Sequence, residues 1–100
     1  MRRAANVDAN QAEIVAALRG VGASVLDLHG IGVAGVPDLL VVFGERAVLM
    51  EIKNPKGKNR VKESQERFRQ TWRGRVEIVR SVDEALAAIG VQVMGTTQEV

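Results

Sequence analysis

The sequence predicts an α/β domain in which helices flank a mixed β-sheet. Two unbroken apolar runs, Leu39 to Phe43 and Ala47 to Ile52, are separated only by Gly44-Glu45-Arg46, which is typical of a buried hairpin. Apolar residues recur at helical spacing before this hairpin, and helical and strand patterns alternate after it. The predicted order is helix, strand, strand, strand, helix, strand, helix.

The first helix is predicted over roughly residues 9–20. Asp8, followed at the third position by Gln11, is typical of a helix start. The helical spacing is carried by four apolar residues, Val7, Ile14, Leu18 and Val21.

Each later element also follows from a local pattern. The alternating segment 25–29 predicts a short strand, and a glycine-rich loop separates it from the hairpin. Residues 61–73 predict the second helix, and residues 75–80 predict the fourth strand. Ser81 with Glu84 forms a capping box that opens a last helix through Ile89.

Length and composition indicate one folded domain and limit its chemistry. At 100 residues, the domain has a core over about 8–90, and 91–100 form either a tail or a dimer contact. The absence of cysteine excludes disulfides and thiolate zinc sites, so a metal would be Mg²⁺ or Mn²⁺ held mainly by oxygen. No segment predicts a signal peptide or a membrane span, and we expect a soluble, cytoplasmic protein.

Basic residues are concentrated in one part of the chain. The segment from Lys53 to Arg75 holds nine of the fourteen lysines and arginines but only two of the twelve acidic residues. Such a segment is typical of phosphate binding, and the alternative is a solvated helix surface.

Residues 30–35, GIGVAG, match the glycine pattern of dinucleotide-binding loops. In those proteins the third glycine opens a helix whose amides face the pyrophosphate, whereas here Val36-Pro37 leads into a strand. We therefore interpret the segment as a loop that shapes access to a neighbouring site, not as a nucleotide site.

The hairpin brings charged residues together. If Gly44-Glu45 is a two-residue turn, Phe43 pairs with Arg46, and counting back sets Asp38 opposite Glu51. Both carboxylates then share one face of the sheet, and Lys53 points to the same face. The alternative is that Glu51 and Lys53 form an exposed pair at a strand end.

Two adjacent carboxylates repel unless a positive charge lies beside them. A divalent cation satisfies this requirement, because Asp38, Glu51 and the carbonyl of Ile52 offer it oxygen ligands. Lys53 could then orient an attacking water or balance charge on a phosphate.

Gln65 lies on the apolar stripe of the second helix, between Val61 and the pair Phe68 and Trp72. A polar side chain on a buried stripe needs a partner, and the acidic face is the nearest source. The alternative is a rotated helix that buries Ser64 and leaves Gln65 at the rim.

The motifs GVPDLL, MEIKNPKGK, SQERF and VEIVRSVDEAL, across roughly residues 10–90, resemble a known family. They are similar to the virus-type replication-repair nuclease (VRR-NUC) domain of the PD-(D/E)xK nucleases. The resemblance implies a restriction-endonuclease-like core.

The resemblance also implies roles for individual residues. Asp38 and Glu51 match the metal-binding carboxylates, the Ile52 carbonyl a further ligand, and Lys53 the catalytic lysine. Gln65 matches the glutamine of the following helix, and Glu13 matches an acid that points at the metal from the first helix. For Glu13 a solvated glutamate is the alternative, and the resemblance gives His29 no role.

The function implied is that of an Mg²⁺- or Mn²⁺-dependent DNA endonuclease. Stand-alone members of this family, from phages and bacteria, act as homodimers on branched DNA such as four-way junctions. Lys56, Lys58, Arg60 and Lys62 are expected to hold the DNA backbone. The alternatives are a non-catalytic nucleic-acid-binding module and a subunit of a larger nuclease assembly.

Overall fold

The computed structural model describes residues 10–54 and 62–92. These residues form the predicted seven elements in the predicted order. The elements are α1 (Gln11–Gly20), β1 (Ser24–Asp27), β2 (Leu39–Phe43), β3 (Arg46–Ile52), α2 (Glu63–Thr71), β4 (Arg75–Val79) and α3 (Val82–Ala88). The α/β fold class is therefore confirmed.

The four strands form one mixed sheet in the order β1-β2-β3-β4. The pairs β1–β2 and β2–β3 are antiparallel, and β4 runs parallel to β3. Phe43 pairs with Arg46 and Leu40 with Leu49, as the two-residue turn predicts. Gly44 has a φ of +61°, which is the backbone region that the first central position of such a turn requires.

The main core lies between one face of the sheet and the helices α1 and α3. Ile14 and Leu18 of α1 are fully buried, as are the alternate residues Val48, Met50 and Ile52 of β3. This period-two pattern sends the intervening residues of β3 to the opposite face. The odd-numbered residues Leu49, Glu51 and Lys53 are buried there too, on the side where Gln65 of α2 meets the sheet.

Helix and strand ends depart from the predictions by one or two residues. Helix α1 begins at Gln11, with Asn10 at its N-cap, and Asp8 lies outside the described residues. Strand β1 ends at Asp27 because the His29 N–H donates to the Asp27 carboxylate (2.8 Å) and turns the chain. Val61 also lies outside the described residues, and α2 begins at Glu63.

The predicted capping box of α3 forms in part. The Ser81 hydroxyl accepts the Glu84 N–H at 3.1 Å, as expected for an N-cap serine. The Glu84 carboxylate, however, accepts the N–H of Arg80 (2.7 Å), so the reciprocal bond reaches one residue further back than predicted.

Within the described part of the chain, every helix is too short or too polar to cross a membrane.

Candidate active site

Asp38 and Glu51 lie side by side at one end of the central hairpin. Leu39 pairs with Met50, so the residues that precede and follow them, Asp38 and Glu51, continue the same register. The Asp38 carboxylate accepts the N–H of Ile52 at 2.8 Å, which fixes its position beside β3. The two carboxylates therefore share one face, as the turn geometry predicts.

Lys53 joins these carboxylates from the end of β3. Its Nζ lies 3.4 Å from Glu51 Oε2, and each of the two side chains is only 11% exposed. The Lys53 N–H donates to the Val79 carbonyl (2.9 Å), so the backbone remains tied to β4 after the strand ends. The alternative of an exposed pair is therefore wrong, because both side chains are buried. A charged pair this buried needs further polar partners.

Gln65 of α2 supplies such a partner. Its Nε2 donates to Glu51 Oε2 at 2.8 Å. Its Oε1 accepts the Lys62 N–H at 3.1 Å and lies 3.4 Å from Lys53 Nζ. The prediction that Gln65 needs a partner on the acidic face is confirmed, and this side chain fixes the ion pair against the start of α2.

The surroundings of Glu51 disfavour its charge. Burial raises the pKa of Glu51 above its ordinary value of 4.5, and the nearby charge of Asp38 raises it further. Lys53 and the hydrogen bond from Gln65 lower this pKa, but the net direction is upward. Burial and like charge thus outweigh the lysine.

This raised pKa links the stability of the fold to pH. The unfolded chain loses the Glu51 proton around pH 4.5, whereas the folded protein keeps this proton to a higher pH. The free energy of unfolding therefore falls as pH rises through this range, until Glu51 is ionised in both states. At neutral pH the carboxylate of Glu51 is a destabilising charge that a bound cation would relieve.

The buried charges lie at the base of an open cleft of about 650 Å³. Its lining includes most of the loop 28–37, together with Lys62 and Gln65 at the start of α2. His29 also lines the cleft, although the family resemblance implies no role for it. No pattern in the sequence indicates this position, because it depends on a tertiary contact: the Leu28 N–H donates to the Asp38 carbonyl (2.9 Å) and brings residue 29 to the cleft.

The loop 28–37 packs tightly against α2 at one glycine. Gly35 has a φ of +78°, and a β-carbon added there would overlap the backbone carbonyl of Ser64. Only glycine permits this approach, because it has no side chain and tolerates a positive φ. The loop and the start of α2 are therefore fixed relative to each other, a contact that the sequence did not predict.

Two of the remaining predicted site residues, Lys62 and Ile52, lie within the described part of the chain. Lys62 is exposed on the cleft wall, whereas Lys56, Lys58 and Arg60 lie outside the described residues. Ile52 has a fully buried side chain, so only its backbone could bind a metal. The Ile52 N–H points to Asp38. In a strand, the carbonyl of a residue points to the same side as the N–H of that residue, so the Ile52 carbonyl also faces Asp38.

Glu13 is not brought to the cleft. It precedes the buried Ile14 by one residue, which turns its side chain about 100° away from the buried stripe of α1 and leaves it exposed. Across residues 10–54 and 62–92, no three acidic or histidine side chains are grouped closely enough to hold a metal ion. We therefore leave Glu13 out of the site and consider two carboxylates rather than three.

Two carboxylates and a carbonyl still fit a hard cation. Mg²⁺ is usually held by one or two carboxylates and completes its coordination with water and phosphate. One oxygen of Asp38 accepts the Ile52 N–H, and Oε2 of Glu51 faces Lys53 and Gln65. The charge of Glu51 is disfavoured in the protein alone, and two adjacent carboxylates are of the chemical type that binds Mg²⁺ or Mn²⁺.

Comparison with known proteins identifies the fold. No protein-family model and no curated protein matches the sequence. Among solved structures, the chain is similar to one described as "VRR_NUC domain", with 24% identity and a TM-score of 0.57. The match covers 80% of this chain and 94% of that structure. The sequence resemblance is thus confirmed at the level of the fold, which is the nuclease-like α/β fold of that domain.

Proposed function

We propose that the protein is a metal-dependent endonuclease that hydrolyses phosphodiester bonds in DNA. The observation that carries this proposal is the arrangement of Asp38, Glu51 and Lys53 on one face of a hairpin, at the base of an open cleft. The fold shared with a VRR_NUC domain supports the same conclusion.

In this proposal Asp38, Glu51 and the Ile52 carbonyl hold Mg²⁺ or Mn²⁺. When bound, the cation polarises the phosphate and lowers the pKa of water. The Lys53 ammonium, held 3.4 Å from Glu51, orients the attacking water and balances the charge that develops on the phosphate. Gln65 acts on the reaction by keeping Glu51 and Lys53 in place.

We propose that the basic residues of the segment that contains Lys62 bind the DNA backbone. Lys62 is on the cleft wall, and Lys56, Lys58 and Arg60 belong to the same basic segment of the sequence. Contacts of this kind give affinity that depends strongly on salt and little on sequence. From the family resemblance we further propose a preference for branched DNA, action as a homodimer and a cytoplasmic location in a bacterial or phage-infected cell.

A substrate panel tests the nuclease proposal. Fork, flap and four-way DNA, with a fully paired duplex of the same sequence, are incubated with wild type and Asp38→Asn, in Mg²⁺, in Mn²⁺ and in EDTA. We expect cleavage only with a cation, and a rate at least ~100-fold lower for Asp38→Asn, the scale on which loss of one electrostatic group acts. Asparagine can still accept the Ile52 N–H, so the hairpin should fold.

The same panel separates the two alternative functions. A non-catalytic binding module would bind the DNA but leave it uncut with either cation. A subunit of a larger nuclease assembly would also fail to cut alone, and its mass in solution would change only when its partner is added. Equal cleavage by wild type and Asp38→Asn would instead show that the assigned site is wrong.

A further inference from the structure

The cleft has one apolar wall that the proposed chemistry does not use. Ile31 and Val33, in the loop 28–37, line the cleft, and their exposed fractions are 55% and 51%. Outside this loop every lining residue is polar or charged, among them Lys53, Asn54 and Lys62. Exposed apolar residues are ordinary when they are scattered, but two in one wall of a polar cleft indicate an apolar ligand surface.

The loop holds these two side chains in a defined place. The Ile31 N–H donates to the Leu28 carbonyl (3.1 Å), and the Val36 N–H donates to the Val33 carbonyl (3.3 Å). The close approach of Gly35 to the Ser64 carbonyl then fixes the end of the loop against α2. Ile31 and Val33 are therefore presented beside the acidic residues by two turns and a packed anchor.

The chemistry of DNA identifies what such a wall can bind. A charged phosphate gains nothing from an isoleucine or a valine, whereas the faces of the bases are broad apolar surfaces. In an intact duplex these faces are stacked on one another. They become accessible where pairing stops. Apolar side chains, isoleucine among them, do contact the faces of partly unstacked bases in other DNA-binding proteins. A base face next to a phosphate in the cleft would meet the apolar wall.

We infer that Ile31 and Val33 contact unstacked bases at a break in the duplex and so determine which DNA structures the protein selects. This inference rests on the proposed nuclease function and adds the residues that choose its substrate. Lys62, which also lines the cleft, contributes charge that does not distinguish one DNA structure from another. Selectivity and affinity are thus assigned to different residues of one cleft.

The test measures base unstacking without cleavage. A four-way junction carries 2-aminopurine next to the branch point, and its fluorescence rises when that base leaves the stack. Wild type, Ile31→Ser/Val33→Ser and a control, Val21→Ser/Leu26→Ser, are compared in EDTA. The control removes two exposed apolar side chains that lie outside the cleft. Because all four residues are exposed, both double variants should fold, and their thermal unfolding midpoints will verify this.

We expect wild type and the control to raise the fluorescence and the loop variant not to raise it. The preference of the loop variant for junction over paired duplex should fall at least about tenfold, the scale of one apolar contact with a base. Ile31→Phe, which enlarges the apolar face, should keep the signal. An unchanged signal and preference in the loop variant would overturn the inference.

The two proposals fail in different ways. If the protein cuts DNA in the substrate panel but the loop variant keeps the fluorescence signal, the role of Ile31 and Val33 is wrong and the nuclease proposal stands. If the signal depends on the loop but no cation supports cleavage, the protein binds broken duplexes through this wall and the nuclease proposal is wrong.

Discussion

Lys53→Met is expected to slow DNA cleavage at saturating substrate by at least ~100-fold, the scale on which loss of one electrostatic group acts. Methionine keeps most of the length of lysine but removes the ammonium that lies 3.4 Å from Glu51. Lys53 lowers the pKa of Glu51, so its loss also moves Glu51 further towards the protonated form. The variant should therefore lose both the positive charge at the phosphate and part of the negative charge that attracts a cation.

Lys62→Met is the matched control for this prediction. Lys62 lines the same cleft but is exposed. We expect weaker DNA binding and a dependence of affinity on salt reduced by about one ion, with little change in the rate at saturation. The measurement is the cleavage rate over a range of DNA and salt concentrations. Equal rate losses for the two variants would show that Lys53 is only a general source of positive charge.

Gly35→Ala is expected to lower both stability and activity far more than Gly32→Ala. Both glycines have a positive φ, +78° and +87°, so both substitutions carry a similar backbone cost. At Gly32 a β-carbon meets open space, whereas at Gly35 it overlaps the Ser64 carbonyl. Overpacking of this kind costs about 1–3 kcal/mol, and each kcal/mol lowers the unfolding midpoint of a domain this size by about 4–8 °C.

The effect of Gly35→Ala on activity follows from the position of Ser64. Relief of the overlap must move the loop or the start of α2, and Gln65 follows Ser64 directly. A shift there weakens the 2.8 Å bond between Gln65 and Glu51. Thermal unfolding and cleavage rates of the two alanine variants check the prediction. If the two variants differ in neither quantity, the contact between loop and helix does not support the site.

The central part of the fold and site follows from the sequence because the local signals there are strong. Two apolar runs joined by Gly44-Glu45 have one favourable register, and that register alone places Asp38 beside Glu51. Gln65 could be predicted to meet the acidic face because a polar residue on an apolar stripe must find a partner.

Other features depend on contacts between elements that are distant in sequence. Gly35 packs on Ser64, and no pattern in the sequence indicates that these two segments meet in space. His29 reaches the cleft because the backbone of Leu28 pairs with that of Asp38 after β1 has ended. Glu13 matched a family position, but the rotation of α1 is set by Ile14 and Leu18, and it leaves Glu13 exposed.

We propose that Asp38 and Glu51 form a divalent-metal site, and the shift in unfolding temperature that Mn²⁺ causes at pH 7 tests this site without any substrate. Without metal, Glu51→Gln should be more stable than wild type, because it removes a charge whose pKa burial has raised. Glutamine has nearly the same shape as glutamate, so the packing against α2 is retained.

At 100 times the dissociation constant, a bound ion stabilises a fold by about 2.7 kcal/mol. We therefore predict that Mn²⁺ raises the unfolding temperature of wild type well beyond that of Glu51→Gln and reverses their order. An equal Mn²⁺ shift in the two proteins, or no shift in wild type, would contradict a metal site at Asp38 and Glu51.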